Sequence, residues 1–570
     1  MSKERRLYEL WLKNTADDPQ AQEDLRAIAE DNEEIGDRFY QELSFGTAGL
    51  RGIMGMGLGR MNCYTVGWAT QGFAEYLYRM GVKNPTTAIA YDSRNCSEQF
   101  ARYSAGIFAA NGVKVYIYKE LMPTPALSYA VRELGCDAGV NITASHNPAA
   151  YNGFKAYDSS GCQIGPETAD IVQQSILSTD IFSGVKQMDF DTGLARGLIK
   201  FIPDSFVEQY IDCVFRQALQ PQICKYAGLS LVFTPLHGAG NRCVRAVFGR
   251  LGIEQVHIVS EQEHPDGNFP TCSYPNPEDK AALKLGLDLC AKKNADLLIA
   301  TDPDCDRLGA AVLHNGEYRI LNGNEVGILL LDYICKTRQK LGTMPTDPVA
   351  VRTFVSSRMA DVLAAHYGVD MRTVPTGFKF IGEVITELEG QGKADSFIFG
   401  FEESCGYLSG SYVRDKDAVN AALLLAEMAC AYKIVGKTTI DVLDELDARF
   451  GVWRSEVESF TFEGQRGMET MSGIMERLRE SPPVQIAADQ VIEVLDYNRG
   501  EKLSGGVRQK ANLPKANMIE LRLEDGNCVI VRPSGTEPKL KIYYTITGKD
   551  HKCVEQKLRD YKQDCGKMIG

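Results

Sequence analysis

The chain has 570 residues and a formal net charge of −13, from 62 Lys and Arg against 75 Asp and Glu. A single hydrophobic core stops growing near roughly 250–300 residues, so several domains are expected. The acidic balance excludes non-specific binding to nucleic acid or to an anionic membrane surface. With 44% hydrophobic and 24% charged residues the chain has the make-up of a soluble globular protein, so any anionic substrate needs positive charge gathered locally.

The first residues, MSKERRLYELWLKNTADD, lack the apolar segment and cleavage site of a secretory signal. No apolar run reaches the roughly 18 residues of a spanning helix. A cytoplasmic protein is expected. The 16 cysteines include no C-x-x-C pair, which argues against a zinc knuckle or a dithiol redox site. They read as small buried hydrophobes in a reducing compartment.

Residues 4 to 43 carry apolar positions at helical spacing (Leu7, Leu10, Trp11, Leu25, Ile28, Ile35, Phe39) and predict a helical extension. SFGTAGLRGIMGMGLGR then breaks the pattern with repeated glycines. From Val66 onward apolar strand runs alternate with helices of 10–15 residues: TTAIAYDSR, VKVYIYKE and AGVNITAS. The same grammar restarts at LSLVFTPLHGAG and again at the helix predicted over 324–338. Such alternation predicts α/β architecture used in tandem. After about residue 450 the strands crowd together (455–463, 518–523, 527–532, 540–546) between helices near 466–479 and 551–563, which predicts an α+β domain. The polar stretch DYNRGEKLSGGVRQKANLPKAN is expected to be a loop or insertion. The expected divisions are 1–42, 43–200, 201–316, 317–450 and 451–570.

Four strand-end stretches can carry chemistry. LLIATDPDCDRLG places Asp302, Asp304 and Asp306 directly after an apolar strand. In an extended loop alternate residues point one way, and hard oxygen donors suit Mg²⁺. An EF-hand is excluded, because Arg307 stands at its glycine position and Leu313 at its bidentate glutamate position. VRPSGTEPKLKIYY offers Arg532, Ser534, Gly535, Thr536 and Lys539 as a phosphate clamp. FIFGFEESCGYL puts Glu402 and Ser404 after another strand, as sugar-hydroxyl binders or as a helix start. RTVPTGFKFIG adds Thr376, Gly377 and Lys379. FGTAGLRG is a glycine-rich loop with Arg51. Neither a dinucleotide fingerprint nor a P-loop is present.

NITASHNPAAYNGFKAYD contains Ser145, His146 and Lys155. Thr143 and Asn147 occupy the glycine positions of a nucleophile elbow, so that reading fails. Neighbours on an extended strand face opposite ways, which makes His146 a poor base for Ser145. A phosphate-carrying serine served by the aspartates explains more of the pattern.

TASHNP, DPDCDR, GFEES and RPSGTEPK, with FGTAGLRG and PTGFKF in support, resemble in kind and order the α-D-phosphohexomutase superfamily, in particular its bacterial phosphoglucomutase branch. The resemblance spans roughly residues 43 to 546. It implies three α/β mixed-sheet domains and a smaller C-terminal α+β domain, resembling the TATA-box-binding-protein fold, around a central cleft. It implies that Ser145 is a phosphoserine and that Asp302, Asp304 and Asp306 hold Mg²⁺ together with a phosphate oxygen on Ser145. Glu402 and Ser404 then bind sugar hydroxyls, and Arg532, Ser534, Gly535, Thr536 and Lys539 hold the non-reacting phosphate. Arg51, Arg307, Thr376 and Lys416, in VRDKDAV, match further substrate contacts. Lys155 is the candidate for proton transfer, its pKa lowered by neighbouring cations, and His146 orients the loop. The implied reaction interconverts α-D-glucose 1-phosphate and glucose 6-phosphate through glucose 1,6-bisphosphate, with mannose and pentose phosphates as alternatives. A monomer or weak dimer with a phosphorylated sugar as its only partner is expected. One departure stands out: Phe401 precedes Glu402 and Cys405 precedes Gly406, where the family motif often reads G-E-x-S-G.

Overall fold

The computed structural model describes residues 1–46, 49–462, 465–533 and 539–569. It divides into two compact units. One comprises 1–322, 381–397 and 405–436; the other comprises 323–380, 398–404 and 437–570.

The first unit begins with three helices, Lys3–Asn14, Pro19–Ala27 and Asn32–Phe39. Each is started by a side-chain cap, from Ser2, Asp18 and Asp31 in turn, which satisfies amide donors that would otherwise be orphaned. Their apolar faces close on Trp11, which is 1% exposed. Trp11 also meets Tyr64 at 5.5 Å and Phe182 at 5.4 Å. The extension is thereby packed onto the α/β body that follows.

That body holds a mixed sheet in the order Leu50–Ile53, Tyr151–Asp158, Ala138–Ile142, Thr86–Tyr91, Lys114–Tyr118, Ile199–Ile202. The last four strands are mutually parallel, and Tyr151–Asp158 runs antiparallel to both of its neighbours. The central strands Thr86–Tyr91 and Ala138–Ile142 are buried almost throughout, as expected of strands covered by helices on both faces. A second mixed sheet runs Glu317–Leu321, Leu308–His314, Leu297–Thr301, Ser230–Thr234, Gln255–Ile258. Its antiparallel hairpin 308–321 was not foreseen, because small residues in LGAAVL hide the strand pattern.

In the second unit, Val349–Thr353 pairs in parallel with Asp370–Val374 and lies beside the strand that ends at Glu402. A wholly antiparallel sheet follows: Val452–Thr461, Lys539–Gly548, Cys528–Pro533, Ile519–Leu523, Asp489–Asp496, Glu501–Ser504, Val507–Lys510. Helices Gln465–Glu480 and His551–Ile569 accompany it. The expected loop at 496–517 contains the last two strands, a hairpin turning at Gly505–Gly506, both with positive φ. The last strand is exposed throughout and the one before it is only half-buried, so they leave no apolar alternation to read.

None of the sixteen cysteines is in a disulfide, and twelve are buried. Among the described residues no single helix is both long and apolar enough to cross a membrane.

Candidate active site

In the first unit the polar residues gather at the C-terminal ends of parallel strands, where α/β sheets hold ligands. Strand Ala138–Ile142 runs into Ser145, and strand Leu297–Thr301 runs into the aspartates. Asp302, Asp304 and Asp306 are at most 1% exposed. One carboxylate oxygen from each lies within 4.8 Å of the others. The extended loop expected here is instead a turn. Cys305 has φ +53°, and its amide donates to the Asp302 carbonyl at 2.9 Å. The turn, rather than strand alternation, makes the three carboxylates converge.

The cluster is unevenly neutralised. Lys155 Nζ lies 2.6 Å from Asp304 Oδ2 and 3.0 Å from Asp306 Oδ2, and Lys416 Nζ is 3.0 Å from Asp306 Oδ2. Burial would raise the Asp306 carboxyl, but Lys155, Lys416 and Arg307 together hold it below its ordinary value. Asp302 gets too little such help: burial first, then the Asp306 and Asp304 charges, push it well above, outweighing Arg307. Asp304 Oδ1 and Asp306 Oδ1 are buried without a hydrogen-bond partner. Buried oxygen donors left unsatisfied beside excess negative charge are what a hard divalent cation satisfies, so the residues fit Mg²⁺.

Ser145 is 2% exposed and donates its hydroxyl to Asp302 Oδ2 at 2.7 Å. It lies past the strand end with φ +51°, outside the extended region. That conformation overturns the expected divergence of its neighbour: His146 Nδ1 lies 3.2 Å from Ser145 Oγ. Burial, then the Arg307 and Arg51 charges, keep the imidazole well below its ordinary pKa and therefore neutral. Tyr274 meets the ring edge-on at 5.5 Å.

Lys155 also departs from expectation. Burial lowers its pKa, but Asp304 and Asp306 outweigh burial and the repulsion from Lys416, leaving it above the ordinary lysine value. Arg51 Nη1 donates to Asn147 Oδ1 at 3.2 Å, and Arg307 stands 3.6 Å from Glu278.

The second unit carries the remaining candidates. Glu402 is 4% exposed at its strand end, and neighbouring Glu403 accepts from Thr353 Oγ1 at 3.1 Å. The helix start left open for this stretch does not form; the next element is the short strand Gly406–Leu408. Phe401 is buried against Gly327 and stacks on Phe399 at 5.8 Å, so this departure from the family motif is a packing feature. Thr376 Oγ1 is buried with no partner, Gly377 has φ +121°, and Lys379 lies over the Phe380 ring at 4.7 Å. Arg532 and Lys539 sit on adjacent antiparallel strands. Ser534, Gly535 and Thr536 lie outside the described residues.

Several residues at the site escaped the sequence reading. Thr124 donates to Asp304 Oδ2 at 2.6 Å and through its amide to the Asp304 carbonyl at 2.8 Å. Asp92, Arg94 and Thr143 surround the Ser145 loop. The available signal was Asp92-Ser93-Arg94 directly after TTAIAY, a polar strand end like DPDCDR.

Residues 42–181, 208–316 and 322–449 match the phosphoglucomutase/phosphomannomutase alpha/beta/alpha domains I, II and III. The phosphoglucomutase of Staphylococcus epidermidis is 36% identical over 534 residues, 93% of this chain and 95% of its own. The chain belongs to the phosphoglucomutase/phosphomannomutase family. A Staphylococcus aureus phosphoglucomutase is likewise 36% identical over 558 residues, covering 96% of this chain and 97% of its own. Among solved structures, the Paramecium pp63/parafusin phosphoglucomutase superposes with a TM-score of 0.67 at 18% identity, covering 92% of this chain and 94% of its own. A family protein from Burkholderia thailandensis gives 0.65 at 16%, covering 92% and 97%. At those identities the structures show the shared fold alone. Family membership makes the protein an isomerase that moves a phosphoryl group within its substrate.

Proposed function

We propose that this protein is a phosphoglucomutase, interconverting α-D-glucose 1-phosphate and glucose 6-phosphate with glucose 1,6-bisphosphate as intermediate. The single observation that carries the chemistry is the 2.7 Å approach of Ser145 Oγ to a buried aspartate cluster with unsatisfied oxygens. The sugar follows from the curated phosphoglucomutases that match nearly the whole chain.

In the first half-reaction the bond between phosphorus and Ser145 Oγ breaks, and phosphorus bonds to a sugar hydroxyl oxygen. The bisphosphate reorients, and its other phosphoryl group bonds to Ser145 Oγ. Such transfers pass through a loose transition state, so positioning and charge neutralisation dominate. Mg²⁺ held by Asp302, Asp304 and Asp306 would supply charge neutralisation at the phosphoryl oxygens. Lys155 is the proton carrier in this reading: held as an ammonium by Asp304 and Asp306, it must first release that proton to solvent before its nitrogen accepts one from the attacking sugar hydroxyl, and it then returns one to the departing sugar oxygen. His146, held neutral beside Oγ, orients the serine. Arg307 and Arg51 contribute positive charge for the phosphate, and Lys416 neutralises Asp306. Glu402 and Ser404 hold sugar hydroxyls. Thr376, Gly377 and Lys379, with Arg532, Ser534, Gly535, Thr536 and Lys539, hold substrate at the non-reacting end. The protein works in the cytoplasm as a monomer or weak dimer.

Turnover measured on glucose 1-phosphate, mannose 1-phosphate and ribose 1-phosphate, with added glucose 1,6-bisphosphate and Mg²⁺, tests this reading. Glucose 1-phosphate should give the highest kcat/KM. Activity confined to the pentose would overturn the assignment.

A further inference from the structure

Four backbone carbonyls of the Ser145 loop converge on one buried guanidinium. Arg94 is 3% exposed. It donates from Nη1 to the carbonyls of Pro148 at 2.9 Å and Tyr151 at 3.0 Å, and from Nη2 to those of Ser145 and Asn147. Its Nε lies 3.3 Å from Asp92 Oδ2, with both side chains fully buried. A guanidinium has five N–H donors. Four go to the loop; the fifth, on Nε, makes no hydrogen bond but is buried within ion-pair range of Asp92, out of reach of a phosphate in the cleft.

Asp92 grips the same peptide from the other side. It accepts the hydroxyls of Thr143 at 2.6 Å and Ser97 at 2.8 Å, and the Arg94 amide at 3.0 Å. Thr143 Oγ1 in turn accepts the Ser145 amide at 2.8 Å. The N–H of Ser145 is thus tied through Thr143 to Asp92, and its carbonyl is tied to Arg94. A left-handed φ of +51° at a serine needs this. Non-glycine residues avoid that region by about 1–3 kcal/mol unless their surroundings impose it. Phe269 lies over the guanidinium at 5.1 Å, and Ala149 packs into the cluster of Leu236, Phe269, Cys272 and Ala282. Through Ala149 that packing seats the loop against the second sheet's domain.

We infer that Arg94, backed by Asp92, is a positioning residue that sets Ser145 Oγ at the aspartate cluster for phosphoryl transfer while touching neither sugar nor phosphate. The inference rests on the phosphoserine reading above. Lysine keeps the charge but cannot reproduce four hydrogen bonds in one plane.

The test uses the full chain with Arg94→Lys, Arg94→Ala and Ser145→Ala. Misplacement of a reacting group by about 1 Å costs on the order of 10²-fold. Arg94→Lys should therefore lose about 10²-fold in kcat on glucose 1-phosphate with KM little changed. Amide hydrogen exchange should accelerate over residues 143–151 and stay unchanged over 519–523. Millimolar guanidinium should restore part of the activity of Arg94→Ala and none to Arg94→Lys. An unchanged kcat in Arg94→Lys overturns the inference. So does a raised KM at intact kcat, which would make Arg94 a substrate ligand. Accelerated exchange throughout the protein without guanidinium rescue would leave only a structural role, and also overturns it. Full activity in Ser145→Ala defeats the phosphoserine reading itself. An inactive Ser145→Ala beside a fully active Arg94→Lys defeats this inference alone.

Discussion

Ser145 donates its hydroxyl to Asp302 Oδ2 at 2.7 Å across 157 positions of chain. The contact joins the ends of two parallel strands from different sheets, and it places a buried hydroxyl beside a cation-seeking cluster. Ser145→Ala is expected to abolish mutase activity. Intact-mass measurement of the wild type should find one phosphoryl group that maps to Ser145. Full activity in the variant, or phosphate mapped elsewhere, would refute the carrier role.

Thr124 buttresses Asp304 from behind, with a 2.6 Å hydroxyl bond to Oδ2. Partners behind a metal ligand typically tune affinity by about 10–100-fold. Thr124→Val should therefore weaken Mg²⁺ activation by about that factor while leaving activity at saturating Mg²⁺ closer to wild type. Chelation should silence the wild-type enzyme reversibly. A Mg²⁺ titration unchanged by the substitution would show that Thr124 serves packing only.

Lys155 is held as an ammonium by Asp304 and Asp306. Arginine there keeps the charge but does not release a proton. If Lys155 moves the proton, Lys155→Arg should cost about 10²–10⁴-fold in kcat, the usual span for acid–base help. Near-wild-type turnover of that variant would reduce Lys155 to a neutralising cation.

Gly238 lies where a Cβ would stand 2.4 Å from Pro303 Cα and 2.6 Å from its carbonyl oxygen. The Ala239 amide donates to that same carbonyl at 2.8 Å. Both neighbours are backbone of the aspartate loop, so Gly238→Ala must displace the loop. It should destabilise the protein by about 1–3 kcal/mol and weaken metal activation together. Denaturant midpoints and Mg²⁺ titrations that both match wild type would contradict this packing argument.

Asp417 caps helix Ala418–Ile434 and accepts from Tyr412 at 2.7 Å and Tyr210 at 2.9 Å. Burial nevertheless raises its pKa from 3.8 to about 6, with those hydrogen bonds opposing. The folded state then binds a proton more tightly than the unfolded chain. Stability from this group is full below the unfolded value and is lost as pH rises through the folded one. Asp417→Asn keeps a capping side chain without the charge. Relative to wild type it should gain stability between pH 4 and 7, by at most about 3 kcal/mol. A pH-independent difference in unfolding free energy between the two proteins would sink this expectation.

The alternation of apolar runs and helices made the α/β body legible, because strands buried on both faces read as unbroken apolar stretches. The hairpins at 308–321 and 501–510 were not legible. The first opens with a strand of small residues, and the second is mostly polar, with only Leu503 packed on the core.

The sequence by itself determined which chemical groups are present and in what order: a serine at one strand end, three aspartates at another, and an arginine-lysine loop near the C-terminus. These lie in short local motifs, and local pattern is what a sequence displays. Tertiary structure alone decided how those groups act on one another. It turned Ser145 into the left-handed region, brought His146 to its oxygen, and drove the Lys155 pKa upward instead of downward. It also made Asp92 and Arg94 the grip on the serine loop. The physical reason is that backbone strain, burial and the balance among buried charges depend on groups 51 to 157 positions apart, whose proximity only the folded chain creates.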